Sequence, residues 1–107
     1  MVKSKTNLKE ERTYFKPFNY PWAYEAWLKH EQMHWLHTEV PMLEDVKDWK
    51  KKLSKEEKHF LTNIFRFFTQ GDIDVAGGYV KNYLPHFPQP EIRMMLSGFA
   101  AREALHI

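Results

Sequence analysis

The longest uninterrupted helix signal in this sequence is the feature that constrains it most. Ser54 is followed three residues later by Glu57, a capping-box signature, and no proline then occurs before Pro85. That interval predicts one helix of about 30 residues and ~45 Å. Such a length is uncommon in an ordinary globular domain, where helices average about three turns.

The remaining punctuation agrees with an all-α chain. Pro21 suits the first position of a helix, and Tyr24, Leu28, Glu31 and Trp35 then recur at helical steps, predicting a helix over 21–36. Residues 37–53 contain Pro41, the acids Glu44, Asp45 and Asp48, and a run of lysines, and are expected to form a connection with one helical turn. After a loop at 86–89, Pro90 opens a last helix through Glu91 to Ile107, and with no closing Gly or Pro the sequence is expected to end inside it. Residues 1–19 are polar and aperiodic. They read as an extended, disorder-prone arm with Tyr14, Phe15 and Phe18 as aromatic anchors, which leaves 20–107 as the helical domain.

Composition narrows the function classes. Aromatic residues make up 16% of the 107, enough apolar area for a folded rather than disordered chain. A net charge of +2 from 16 basic and 14 acidic side chains creates no strong field, so neither nucleic acid nor an anionic membrane is an expected partner. No apolar run approaches the ~20 residues that span a bilayer, and no signal peptide opens the chain, so a soluble cytoplasmic protein is expected. There is no cysteine, which excludes disulfides, thiolate zinc sites and a cysteine nucleophile. Any metal must be held by oxygen and nitrogen.

Two helices place metal-capable side chains on their apolar seams. In the long helix the four-three alternation runs Leu61, Phe65, Phe68, Asp72, Val75, Tyr79, with a carboxylate in its middle. In the last helix it runs Ile92, Leu96, Phe99, Glu103, His106. Burying an ionised carboxylate without a partner costs several kcal/mol or more, so such placements usually meet cations or act as ligands. Dimetal sites in helical bundles take single carboxylates from two helices and a Glu-x-x-His pair from each of two others. Asp72 would be one single carboxylate, and Glu103 with His106 one of the pairs. Glu-x-x-His also occurs at Glu31 and His34 and at Glu56 and His59, where it is read as structural and as first-turn charge, respectively.

The landmarks then fall in a familiar order from Tyr20 to the end. An aromatic helix leads to Trp35, Thr38, Glu39 and Val40. A stretch from Asp45 to Trp49 follows, then Phe67 and Phe68 four residues before Asp72, and finally Glu103-x-x-His106. This order resembles the N-terminal part of the small, radical-generating subunit of class I ribonucleotide reductase. The resemblance implies a ferritin-like helical bundle, here in its N-terminal half, and a dinuclear Fe or Mn centre with Asp72, Glu103 and His106 among its ligands. It implies Trp35 as a conduit for electrons on the radical-transfer route and Glu39 near the interface with the large catalytic subunit. It also implies an oxidoreductase role in deoxyribonucleotide synthesis for DNA replication, and a homodimer of the complete small subunit. Two departures stand out. Pro41 and Met42 replace the family's acidic continuation, and the radical tyrosine and the remaining ligands would lie beyond Ile107. The fragment alone is therefore expected to be inactive and completed by a polypeptide carrying the other helices. A desaturase or hydroxylase component of the same fold, or a non-catalytic helical interaction module, are the rival readings.

Overall fold

The computed structural model describes residues 7–107, and among them every regular element is helical: α1 (Pro21–Gln32), α2 (Leu43–Lys51), α3 (Lys55–Gly78) and α4 (Pro90–His106). Each start follows from local chemistry. Proline occupies the first turn of α1 and of α4, where its missing N–H has no intrahelical partner to lose. At α3 the Ser54 hydroxyl accepts from the Glu57 N–H at 3.1 Å while Glu57 accepts from the Ser54 N–H at 2.9 Å, closing the box in both directions. Ser54→Ala is expected to destabilise the protein by about 1 kcal/mol, read as a shift in the denaturation midpoint with an unchanged slope.

Three expectations are corrected. The long helix changes character at its end: after Gly78 the chain continues as a π-helical turn, Tyr79–Tyr83, and a 3₁₀ turn, Leu84–His86. Pro85 has no N–H to continue the ladder, and the Leu84 N–H reaches back five residues to the Tyr79 carbonyl, widening the last turn. The connection over 37–53 holds more than one turn, because α2 runs for nine residues. Glu44 and Asp45 lie in its first turn and Lys50 and Lys51 in its last, each with the sign the helix dipole favours. The first helix stops at Gln32 rather than 36. Leu36 is extended and its N–H is taken by the Glu39 carboxylate at 2.6 Å, which starts a 3₁₀ turn at His37–Glu39 and leaves Trp35 beyond the helix.

α4 packs against both α1 and α3. The assembly is long and open, 65 × 25 × 23 Å, with a radius of gyration of 19.7 Å against the roughly 13 Å typical of a compact chain of about 100 residues. Among the described residues Ala23 and Ile92 are the fully enclosed apolar side chains, while Phe60, Phe65, Phe67 and Phe68 of α3 remain exposed. Among the described residues no helix is long and apolar enough to cross a membrane.

Residues 1–6 of the expected arm lie outside the described residues. From Arg12 onward the arm is docked, and its chief anchor is polar. Phe18 stacks on Tyr24, with ring centroids 4.8 Å apart, but Tyr14 and Phe15 stay exposed. Arg12 is enclosed with Gln89 and Glu91 at the start of α4. Its five donors are all used: Nε to the Tyr14 carbonyl, Nη1 to Gln89 and Glu91, Nη2 to the Phe15 carbonyl and Glu91.

Candidate metal centre

Asp72 projects from α3 toward α4, where Glu103 and His106 sit one turn apart on a single face. One ligand-capable atom from each of the three lies within 4.8 Å of the other two. Asp72 and Glu103 are half-buried and His106 is exposed. His106 Nδ1 is 3.2 Å from Glu103 Oε2, and the side-chain hydroxyl of Thr69, on α3, donates to the Ile107 carbonyl at 3.5 Å, close to where α4 ends. The donor set is two carboxylates and an imidazole, a hard-oxygen and nitrogen combination that suits a divalent metal ion.

The face around this cluster is open. Phe65 and Phe68, two turns and one turn before Asp72, are 56% and 60% exposed, and Val75, one turn after it, is 48% exposed. The apolar seam that periodicity assigns to the interior is therefore only partly covered among the described residues, with Leu61 and Tyr79 half-buried. Charge points the same way. Two carboxylates offer two negative charges against the four positive charges of two divalent ions, so a dinuclear centre needs further acidic ligands from elsewhere.

Trp35 and Glu39 do not join the cluster. Trp35 stands 42% exposed in the bend after α1, and Glu39 is exposed and engaged with the Leu36 N–H. The other Glu-x-x-His copies are also elsewhere. His59 contacts Asn63 at 3.2 Å on the exposed start of α3, and His34 contacts Arg102 of α4.

Sequence reading missed the second polar cluster, Arg12, Gln89 and Glu91. The Glu91 carboxylate accepts from Arg12 and from the backbone N–H groups of Asn19, at 3.1 Å, and Tyr20, at 3.0 Å. Burial pushes the Glu91 carboxyl up, but the hydrogen bond from Arg12, those from backbone N–H groups and the guanidinium charge outweigh it and hold it below its ordinary value. The same bond raises Arg12 against the opposing effect of its own burial. A Glu in a first helical turn is unremarkable in sequence, and nothing local points to a partner 79 residues away.

The family described as "Ribonucleotide reductase, small chain" matches residues 12–107. The chain is 57% identical over 101 residues to a "Probable ribonucleoside-diphosphate reductase small subunit" of Invertebrate iridescent virus 6, covering 94% of this chain and 28% of that protein. It is 58% identical over 100 residues to a protein of the same description in Invertebrate iridescent virus 3, covering 94% and 26%. A "Ribonucleoside-diphosphate reductase subunit beta" of Chlamydia pneumoniae is 35% identical over 91 residues, covering 84% and 26%. The chain thus spans little more than a quarter of the length of these relatives. The all-helical architecture is that of the ferritin-like fold, and the chain belongs to the ribonucleotide reductase small-chain family.

Proposed function

We propose that this chain contributes one half of the dimetal centre of a ribonucleotide reductase small subunit, and so supports the reduction of ribonucleotides to deoxyribonucleotides. The observation that carries the reading is the meeting of Asp72, Glu103 and His106 within 4.8 Å, inside the segment matched by the family. When bound, a dinuclear Fe or Mn centre supplies the one-electron oxidising chemistry from which a radical is made. The chain's own residues do the rest. Asp72 and Glu103 offer anionic oxygens, His106 offers a neutral imidazole nitrogen, and all three must shed their protons to do so. The exposed apolar strip of Phe65, Phe68 and Val75 is the surface on which the remaining bundle helices would close, excluding water from the site. Trp35 supplies an oxidisable indole on the radical route, and Glu39 an exposed acid for contact with the large catalytic subunit. The complete small subunit is read as a cytoplasmic homodimer. The family match does not favour a desaturase or hydroxylase component, and an interaction module gives no reason for the three-residue convergence.

Titration with Mn(II), followed by its electron paramagnetic resonance signal, tests the half-site. Weak binding by the chain alone and two tight ions per assembled small subunit are expected. Two tight ions on the isolated chain would contradict the half-site. Absence of ribonucleotide reduction when the assembled subunit is mixed with a large subunit would remove the assigned activity.

A further inference from the structure

Glu31 and His34 repeat the Glu-x-x-His spacing, yet they face a different part of α4 from the one that carries the metal cluster. The Arg102 guanidinium donates from Nη1 to His34 Nδ1 at 3.2 Å and from Nη2 to the His30 carbonyl at 3.2 Å. One turn earlier on the same face of α4, Gly98 lies against α1. A Cβ there would stand 3.4 Å from Trp27 Cδ1 and 3.7 Å from Glu31 Oε1. A cation between α1 and α4 also disfavours a metal ion at His34, and among the described residues His34 joins no metal-capable group.

The chemistry of this contact is directional. Arginine only donates, so His34 Nδ1 must be unprotonated and its ring proton must sit on Nε2. The His30 carbonyl also accepts from the Met33 N–H at 3.3 Å, where α1 ends. Arg102 therefore grips both the last turn of α1 and the side chain two residues beyond it. His34 is bonded to Trp35 in the chain, and Arg102 to Glu103. A single hydrogen-bonded contact thus joins the neighbours of the proposed electron conduit and of a proposed ligand.

We infer that Arg102 is a positioning residue which, through His34 and the His30 carbonyl, fixes the bend that presents Trp35 relative to the Glu103–His106 turn. The functional weight of this inference rests on the reading proposed above, but the positioning itself does not.

The test labels the full chain with 5-fluorotryptophan, assigns the four tryptophan signals by single Trp→Phe variants, and records fluorine NMR spectra of Arg102→Gln, Arg102→Lys and His34→Phe. In Arg102→Gln the Trp35 signal is expected to move or broaden while the Trp27 signal, set by the Gly98 crossing, keeps its position. Exchange of the Met33 amide is expected to speed up about tenfold, as loss of a hydrogen bond from a charged donor allows. Arg102→Lys keeps the charge, but a single ammonium cannot serve both acceptors in the forked geometry, so it should restore Trp35 only in part. His34→Phe should displace Trp35 while leaving Met33 protected. An unmoved Trp35 signal in Arg102→Gln would overturn the inference. So would equal displacement of Trp27 and Trp35, since that marks general loosening of α1 on α4. Should Arg102→Gln fail to fold, His34→Phe and Arg102→Lys decide on the same two signals. If Trp35 moves as expected but the assembled subunit binds no metal through Asp72, Glu103 and His106, the positioning stands and the functional reading falls.

Discussion

Glu91→Ala is expected to lower the unfolding free energy by about 3–5 kcal/mol, the usual cost of stranding one member of a buried ion pair. The Arg12 and Glu91 side chains are 2% and 0% exposed. Removing the carboxylate leaves a guanidinium without its counter-charge and takes away the acceptor of the Asn19 and Tyr20 N–H groups. Arg12→Ala should cost a similar amount for the converse reason. The double change Arg12→Met with Glu91→Leu should not recover full stability, although apolar replacement of a buried pair often does. Here the pair also holds the Tyr14 and Phe15 carbonyls and the Asn19 and Tyr20 N–H groups, hydrogen bonds that apolar side chains do not make. Urea denaturation followed by circular dichroism measures each corner of this cycle. A loss below about 1 kcal/mol for Glu91→Ala would mean that the arm is not held by this cluster.

The same pair sets a pH dependence. Because the folded Glu91 carboxyl titrates below its ordinary value of 4.5, the unfolded chain binds the proton more readily than the folded one. The contribution is complete above about pH 4.5 and declines as pH falls toward and through the depressed folded value. Arg12 is shifted upward, so its contribution is fully present throughout this range. The denaturation midpoint should therefore fall on acidification more steeply in the native chain than in Glu91→Gln. Parallel curves would show that other carboxyls govern the acid limb.

The second large effect is expected at the metal cluster, with opposite signs in two states. Asp72→Asn, Glu103→Gln and His106→Ala should each weaken metal binding in the assembled subunit by more than about 100-fold, since even the partners that orient ligands are commonly worth 10–100-fold. Without metal, Asp72→Asn should leave stability unchanged or raise it slightly. It relieves repulsion between two carboxylates whose oxygens lie within 4.8 Å, and it places a neutral group on a strip of exposed phenylalanines. Metal titration and thermal unfolding on the same samples separate the outcomes. Unchanged metal affinity in all three variants would remove these residues from the centre, and a large loss of stability in metal-free Asp72→Asn would mark it as a structural acid instead.

Helix starts were legible because their causes lie within one turn of the chain. Ser54 and Glu57 cap N–H groups three residues apart, and Pro21 and Pro90 fit first-turn positions whose N–H has no intrahelical partner. The placement of Asp72, Glu103 and His106 along two seams was legible for the same reason, since period alone decides which residues share a helical face. Helix ends were read less well. The end of α1 depends on Glu39 drawing the Leu36 N–H into a new turn, and α2 was hidden because its acidic opening and basic close look like loop composition until they are placed at the two ends of one helix.

Which faces meet belongs to the tertiary structure alone. Arg12 finds Glu91 across 79 residues, and Arg102 finds His34 across 68, through packing that no local rule encodes. The first-turn position of Glu56 and His59 sets that Glu-x-x-His copy apart in sequence, whereas the contact of His34 with Arg102 and the approach of Asp72 to Glu103 and His106 are made by packing. The sequence by itself determined that the chain is helical and where its charged side chains interrupt apolar stripes, because both follow from short-range periodicity. The fold decided which of those charges are enclosed, which are paired and which converge, because desolvation and Coulomb attraction act through space and depend on neighbours that chain order does not reveal.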